Sequence, residues 1–296
     1  MVKESVREWC VVDLLKTTTD FFAAKKVDEP RMSAELLLAH LFAEDRLWLY
    51  LNHNRPVSGS ELAAFRVLCR DRLDGRPVQY ITGEQFFYGK PFAVDERVLI
   101  PRPETELLVE HAAEFLAARK TVSPECRLLD IGTGSGCIAV TLAGLFPHSE
   151  VTALDRSGEA LDVARGNARK HGVLDRIIFF QADMYDPDLV LRFSSPFDVI
   201  VSNPPYIPEC EWDGLQKEVR GFEPKDALIT PQGIDAYLPI CRTAASILKP
   251  GGALCLEIHA EGAEMVRSIM ASEHFGSISV QKDYSGFDRI VSGILD

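Results

Sequence analysis

The chain has little that would carry it into a membrane or cross-link it. Its longest apolar stretches, such as Leu36 to Ala43, are broken by His40 and fall far short of the roughly 18 residues that a membrane span requires. Met1-Val2-Lys3-Glu4-Ser5 leads into further acidic residues with no apolar run, so no secretory signal is expected. The seven cysteines are odd in number and scattered, with no C-x-x-C pair and no histidine nearby at metal-ligand spacing. Neither a disulfide framework nor a metal site is expected. Cys137 and Cys255 fall inside predicted core segments, where a thiol acts as a small apolar side chain. Basic charge is also scarce: the net charge is −12, with 13 basic and 14 acidic side chains over residues 1–95 against 19 and 30 over the remainder. Nucleic-acid binding normally leaves a basic footprint, so this balance counts against DNA or RNA as the substrate. Internal repeats and low-complexity tracts are missing too. What is present is 296 residues, 46% of them hydrophobic, enough for one large domain and a smaller one in a cytoplasmic protein.

From Val2 to about Lys26 the positions Val6, Trp9, Leu14, Phe21 and Phe22 recur at near-helical spacing and predict an amphipathic helix. Asp28-Glu29-Pro30 punctuates it, and Met32 to Ala43 predicts a second helix with Ser33 as its cap. A short third segment covers Leu47 to Leu51, and a fourth runs from Ser60 to Leu73 before Gly75 stops it. Residues 1–74 therefore read as a small helical bundle, with Arg66 and Arg70 on a solvated face at i, i+4 spacing. Glu84 to Val94 places aromatic-rich runs around Gly89-Lys90, which makes residues 75–95 a hairpin linker. Val98-Leu99-Ile100 then meets Pro101-Arg102-Pro103, a stiff connection, and Thr105 with Glu104 and Glu106 opens a helix reaching Ala118. This arm reads equally as an ordered linker and as a wall of an active site.

After Pro124, strands predicted at Arg127–Ile131, Val151–Leu154, Ile177–Gln181, Phe197–Ser202, Ala253–Ile258, Ile278–Gln281 and Arg289–Leu295 alternate with helices. Those helices are predicted at Cys137–Phe146, Ser157–Lys170, Ile234–Leu248 and Gly262–Met270. The alternation implies an α/β domain over residues 96–296, a seven-stranded and mostly parallel sheet covered on both faces. No helix fits between the last two strands, so one of them enters antiparallel.

The chain centres on Ser202-Asn203-Pro204-Pro205-Tyr206, at the C-terminal end of the β-branched run Phe197-Asp198-Val199-Ile200-Val201, where open α/β sheets keep their chemistry. Each proline holds the residue before it extended, so Asn203 and Pro204 are both stiff. The Asn203 side-chain oxygen and the Pro204 carbonyl make two fixed acceptors beside the Tyr206 ring, a pair that grips a planar NH2 group by both hydrogens. The first strand ends in Asp130-Ile131-Gly132-Thr133-Gly134-Ser135-Gly136 and passes straight into a helix, as a loop that lets a ligand approach the backbone closely. Gly134-x-Gly136-x-x-Ala139 also meets a loose dinucleotide fingerprint, and Asp155 would hold ribose hydroxyls for either ligand. Asp130 before the glycines suits a cation better than a pyrophosphate. Asp183-Met184, after the third strand, stands where an adenine amino group and ring face would sit, although such an aspartate is more often a loop cap.

On these residues the chain resembles the Rossmann-like S-adenosylmethionine-dependent methyltransferases, and Asn-Pro-Pro-Tyr marks those that act on amide or exocyclic amino nitrogens. More narrowly it resembles the HemK/PrmC family of release factor glutamine methyltransferases. The resemblance runs through Ala34 to His40 (AELLLAH), Gln79 to Glu84 (QYITGE), Leu99 to Glu106 (LIPRPETE), the glycine loop, Asn203 to Tyr206, and Glu218 to Leu228 (EVRGFEPKDAL). It implies S-adenosylmethionine held by Gly132, Thr133, Gly134, Ser135, Gly136, Asp155, Asp183, Met184 and Asn203. It also implies the glutamine of a Gly-Gly-Gln loop held by Asn203, Pro204, Pro205 and Tyr206, with Asn203, Pro204 and Tyr206 catalytic. The implied partners are class I peptide chain release factors, recognised by residues 1–74 of a monomeric enzyme that touches neither nucleic acid nor membrane. Three other readings remain on the residues alone: an adenine-N6 methyltransferase of DNA or RNA, a non-catalytic adenosyl-ligand binding module, and a dehydrogenase resting on the glycine loop only. Two departures from the family pattern stand at His259, in Glu257-Ile258-His259 where Glu-Ile-Gly is usual, and in Ser285 to Arg289 (SGFDR), where Gly-Arg-Asp-Arg is usual. Both lie outside the cofactor and amide-binding motifs.

Overall fold

Local chemistry sets most of the helix ends in the N-terminal part. The computed structural model describes residues 8–118 and 126–296, and the start of the first predicted helix, before residue 8, lies outside them. Helix α1 spans Val11–Ala24 and begins later than its periodicity predicts. Cys10 is extended and bridges Pro56, while the N–H groups of Val11 and Val12 donate to Arg55 and His53, so the chain enters as a strand-like arm. Helix α2 (Pro30–Phe42) is opened by Pro30 in its first turn after Glu29, and Ser33 lies inside the helix rather than at its cap. The proline ring presets the backbone for a helix start. The Ser33 hydroxyl donates to the Asp28 carbonyl and accepts from Arg72 Nε at 3.2 Å. Helix α3 (Arg46–Leu51) is capped by Asp45, and α4 (Gly59–Leu73) by Ser58 and Glu61 in a reciprocal capping box. Arg66 and Arg70 are exposed, as the solvated-face reading requires.

A fifth helix, α5 (Val78–Thr82), has no strong periodic signal in its five residues, yet Val78 joins the core of Val11, Leu14, Phe22, Leu37, Leu38, Leu49 and Phe65. The stretch 75–95 is accordingly divided. The described residues up to Gly83, together with Gln216–Phe222, form one compact unit, and Glu84–Leu215 with Glu223–Asp296 form the other.

The second unit opens with the hairpin β1 (Glu84–Phe87) and β2 (Lys90–Ala93), turned through Tyr88 and Gly89, both at positive φ. Helix α6 follows at Thr105–Ala118, then β3 (Arg127–Ile131), α7 (Cys137–Leu145), β4 (Glu150–Asp155), α8 (Gly158–Lys170), β5 (Ile177–Gln181) and β6 (Phe197–Ser202). A two-residue strand, β7 (Ile207–Pro208), pairs in parallel with β8 (Ile229–Thr230), and between them α9 (Lys217–Phe222) groups with the N-terminal unit through the ion pair of Arg72 with Glu218 at 2.5 Å. Helix α10 (Tyr237–Ile247), β9 (Leu248–Glu257), α11 (Ala263–Ser272), β10 (Phe275–Lys282) and β11 (Asp288–Leu295) complete the chain.

The main sheet has the order β10-β11-β9-β6-β3-β4-β5, in which β11 alone runs antiparallel to its neighbours. Alternate residues of each central strand serve opposite cores. Leu128, Val199, Val201 and Cys255 pack with α6, α7 and α8, whereas Leu129, Ile200, Leu254 and Leu256 pack with α10 and α11. Burial on both faces is what gives parallel strands their continuous apolar runs. After β5 the chain returns to the other side of β3, so the strand order reverses between β3 and β6. The C-terminal ends of those two strands carry the glycine loop and Asn203, and the reversal opens a crevice there.

Candidate active site

The glycine loop is shaped by its own backbone and by one buried carboxylate. Gly132, Gly134 and Gly136 all have positive φ, and the N–H groups of Gly132 and Thr133 both donate to the Leu154 carbonyl. A Cβ on Gly136 would lie 2.9 Å from the Cβ of Ala164, so α8 approaches α7 at a distance that only glycine permits. At Gly134, by contrast, a Cβ would meet nothing within 4 Å, and at Gly132 the nearest atom is the Met184 methyl at 3.7 Å. The loop is thus tight against the protein at one glycine and open beside the other two. Asp130 is fully buried and accepts from Thr133 Oγ1 at 2.6 Å and from the Ala139 N–H at 3.2 Å, both through Oδ2. Its Oδ1 has no hydrogen-bond partner among the described residues. Burial pushes the carboxyl up to about 7, against the pull of those two donors.

Asp155, at the end of β4, accepts from the Gly134 N–H and the Ser157 N–H, each at 2.9 Å, and so braces the loop from the adjacent strand. Burial raises its carboxyl too. Thr133 is spent on the loop's own structure through its hydroxyl and its N–H. Ser135 is buried, and its carbonyl accepts from Asn167, which also exchanges two hydrogen bonds with the backbone of Ala93 and so ties β2 to the loop. Asp183 is exposed and its Oδ1 caps the following turn at the Tyr185 N–H, while half-buried Met184 leans toward Gly132. Cys137 and Cys255 are buried with thiols pushed up to about 12, which fits the core role and no nucleophilic one.

Across the crevice, Asn203 and Tyr206 are half-buried and Pro204 is buried. The Ser202 hydroxyl donates to the Ile131 carbonyl at 2.7 Å, pinning the end of β6 to that of β3. Asn203 Nδ2 donates to Thr105 Oγ1 at 3.1 Å, and the Thr105 hydroxyl donates to Glu257 Oε2 at 2.7 Å. The Tyr206 hydroxyl donates to Glu257 Oε1 at 3.0 Å, and the Tyr237 hydroxyl to the Glu257 carbonyl at 3.2 Å. Glu257 and Thr105, 0% and 2% exposed, are not among the site residues that the sequence leads one to expect. The one available signal was a carboxylate following the apolar run Ala253 to Leu256; Thr105 reads locally as a helix start. The arm Pro101–Glu104 is held by Glu223, which accepts from Arg102 at 2.6 Å and from the Ile100 N–H.

The two departures lie nearer to this site than their place in the sequence suggests. The His259 ring centroid is 6.3 Å from that of Tyr206. Phe287 sits in a turn organised by Asp283, which accepts from the N–H groups of Ser285 and Phe287 and pairs with Arg289 at 3.1 Å. Arg289 in turn donates to the Ile258 carbonyl and lowers the Glu257 carboxyl electrostatically.

Among the described residues no group of side chains is arranged to hold a metal ion, and no helix is long and apolar enough to cross a membrane. Comparison with known proteins places both parts of the chain. Residues 13–83 match the PrmC N-terminal domain and residues 122–289 a methyltransferase domain. The chain is 56% identical over 285 residues to the release factor glutamine methyltransferase of Chlorobaculum tepidum, covering 96% of this chain and 97% of that one. It is 40% identical to the protein of the same name from Rhodopirellula baltica and 38% to that from Geobacter sulfurreducens, each over 96% of both chains. The chain belongs to the release factor glutamine methyltransferase family.

Proposed function

We propose that the chain transfers a methyl group from S-adenosylmethionine to the side-chain amide nitrogen of the glutamine in the Gly-Gly-Gln loop of class I peptide chain release factors. Family membership supports the substrate class and the donor. The observation that carries the chemistry is the orientation of Asn203: its Nδ2 is engaged by Thr105, which leaves Oδ1 to accept, next in the chain to the Pro204 carbonyl.

The residues present fit the donor. The unpartnered Oδ1 of Asp130 suits a cationic ligand, and the open faces of Gly132 and Gly134 leave room at the N-terminal end of α7. Gly132 to Gly136 would hold the amino-acid portion, Asp155 the ribose hydroxyls, and Asp183 and Met184 the adenine amino group and ring face. Bound there, S-adenosylmethionine supplies a sulfonium-activated methyl group. An amide nitrogen is a poor nucleophile because its lone pair is delocalised into the carbonyl. Asn203 Oδ1 and the Pro204 carbonyl accept its two hydrogens, fix the direction of attack and stabilise the positive charge that develops on nitrogen. That charge makes the proton acidic as the methyl arrives, so no general base need act beforehand and the proton passes to water once the carbon–nitrogen bond has formed. Pro205 and Tyr206 wall the amide. Residues 1–74 recognise the release factor, and the enzyme works as a cytoplasmic monomer without nucleic acid or membrane.

The test is single-turnover methylation with labelled S-adenosylmethionine and three acceptors: a full-length release factor, the same factor with its Gly-Gly-Gln glutamine replaced by alanine, and duplex DNA. Label is expected on the first alone, at that glutamine by peptide mass spectrometry. Transfer to DNA or to any other residue overturns the assignment.

A further inference from the structure

The two ends of an asparagine side chain are nearly the same shape, so packing alone does not decide whether Asn203 offers its oxygen or its NH2 to the acceptor pocket. A pocket for an amide nitrogen needs the oxygen. The choice is settled two hydrogen bonds away. An ionised carboxylate only accepts, and Glu257 takes a hydroxyl on each oxygen, Thr105 on Oε2 and Tyr206 on Oε1. The single hydroxyl proton of Thr105 is thereby committed to Glu257, and toward Asn203 the Thr105 oxygen is an acceptor only. It therefore receives Nδ2 at 3.1 Å and turns Oδ1 away. We propose that Glu257 and Thr105 are positioning residues that lock the Asn203 amide in its oxygen-out orientation, so that the site takes an NH2 donor. This rests on the amide-gripping role proposed for Asn203.

Burying a carboxylate costs free energy unless its charge is paired or used. Glu257 is 0% exposed, and its carboxylate oxygens are taken by the Thr105 and Tyr206 hydroxyls. The groups that face it are Thr105 of α6, Glu104 just before that helix, Tyr206, Tyr237 of α10, Arg289 of β11 and Cys137 of α7. Burial raises its carboxyl above the ordinary glutamate range, and Glu104 raises it further, while the two hydroxyls and Arg289 lower it. Once protonated, Glu257 donates to Thr105, whose own proton then turns toward Asn203 and favours the flipped amide. Transfer should be lost as pH falls through the Glu257 pKa.

Full-length enzyme, a release factor and S-adenosylmethionine decide the matter through single-turnover rates from pH 5 to 9, with cofactor affinity measured alongside. Thr105→Val keeps the volume and removes the acceptor, and is expected to slow transfer about tenfold or more with cofactor affinity within about threefold, the scale of one lost positioning hydrogen bond. Thr105→Ser should restore most of that rate. Glu257→Gln cannot ionise and should abolish the acid limb. A Thr105→Val enzyme at wild-type rate, a serine variant as slow as the valine one, or an acid limb that persists in Glu257→Gln at saturating S-adenosylmethionine, where titration of Asp130 on the cofactor side no longer limits the rate, overturns the lock. If Glu257→Gln does not fold, the Thr105 pair alone decides. Asn203→Ala run in parallel separates the two ideas: a fast Asn203→Ala enzyme removes the amide-gripping role itself, whereas a slow Asn203→Ala with a fast Thr105→Val removes only the lock.

Discussion

The two sides of the crevice are built by different means. At the end of β3 the loop is organised by backbone: glycines at positive φ, N–H groups turned onto Leu154 and Asp155, and Asp130 bonded to residues three and nine positions ahead of it. At the end of β6 the Asn203 turn is organised by side chains from far apart, with sequence separations of 98 to Thr105, 51 from Tyr206 to Glu257, and 152 from Thr105 to Glu257. One side is a local device that leaves the backbone open beside Gly132 and Gly134, where the donor is proposed to bind. The other is a polar network whose members the sheet must first bring together, and in such a network the direction of each hydrogen bond depends on the next.

If that division is right, damage on each side should show in a different measurement. The largest effect is expected from Asn203→Ala, which on the proposed reading removes one of the two acceptors of a developing charge and should cut single-turnover transfer about a hundredfold to a thousandfold. Cofactor affinity should change far less. Equal losses in rate and affinity would merge the two sides into one.

Gly136→Ala comes next and acts on the backbone side alone. It forces a side chain into left-handed geometry and within 2.9 Å of Ala164, at a combined cost on the order of 2–4 kcal/mol. Thermal unfolding should show a midpoint lower by several degrees or more. An unchanged midpoint would mean that α7 and α8 part easily and that the loop is looser than its geometry.

Asp155→Ala is expected to weaken S-adenosylmethionine about tenfold to a hundredfold in calorimetric titration, for the loss of charge-assisted hydrogen bonds worth about 1.5–3 kcal/mol. Because Asp155 also braces Gly134, part of that loss should come from a loosened loop. The transfer rate at saturating cofactor should stay within a few-fold of normal. A collapse of that rate would show that Asp155 reaches the acceptor side.

The smallest effect concerns Asp130. Its folded pKa, about 7, lies above the unfolded value near 4, so the folded state binds the proton more tightly. Its contribution to stability is therefore present at low pH and lost as pH rises toward and through 7. Between pH 6 and pH 8 the cofactor-free wild type should lose about 1 kcal/mol relative to Asp130→Asn, as read by denaturant unfolding at the two pH values. Parallel pH profiles for the two proteins would show that folding does not raise the Asp130 pKa.

Hydrophobic period and turn residues determined a good deal of this protein. The strands Arg127–Ile131, Ile177–Gln181 and Phe197–Ser202 have the bounds that their sequence predicts; the two central ones are mostly apolar because both of their faces are buried, whereas Ile177–Gln181, at the sheet edge, is partly exposed. The hairpin around Gly89 and the glycine loop after β3 were legible for a related reason: a positive φ or a close backbone approach admits very few residue types. Asn203-Pro204-Pro205-Tyr206 was legible because two prolines stiffen the chain without outside help. Elsewhere local signals misled or fell silent. Ser33 looked like a cap, but Pro30 had already opened the helix. Val78–Thr82 is too short to show a period, and its tertiary packing makes it helical. The joining of Thr105, Asn203, Tyr206 and Glu257, and with it the orientation of the Asn203 amide, was decided by tertiary structure alone. A hydrogen bond between residues 98 or 152 positions apart leaves no trace in spacing, and it exists only once α6, β6 and β9 have packed and the water around a buried carboxylate has gone.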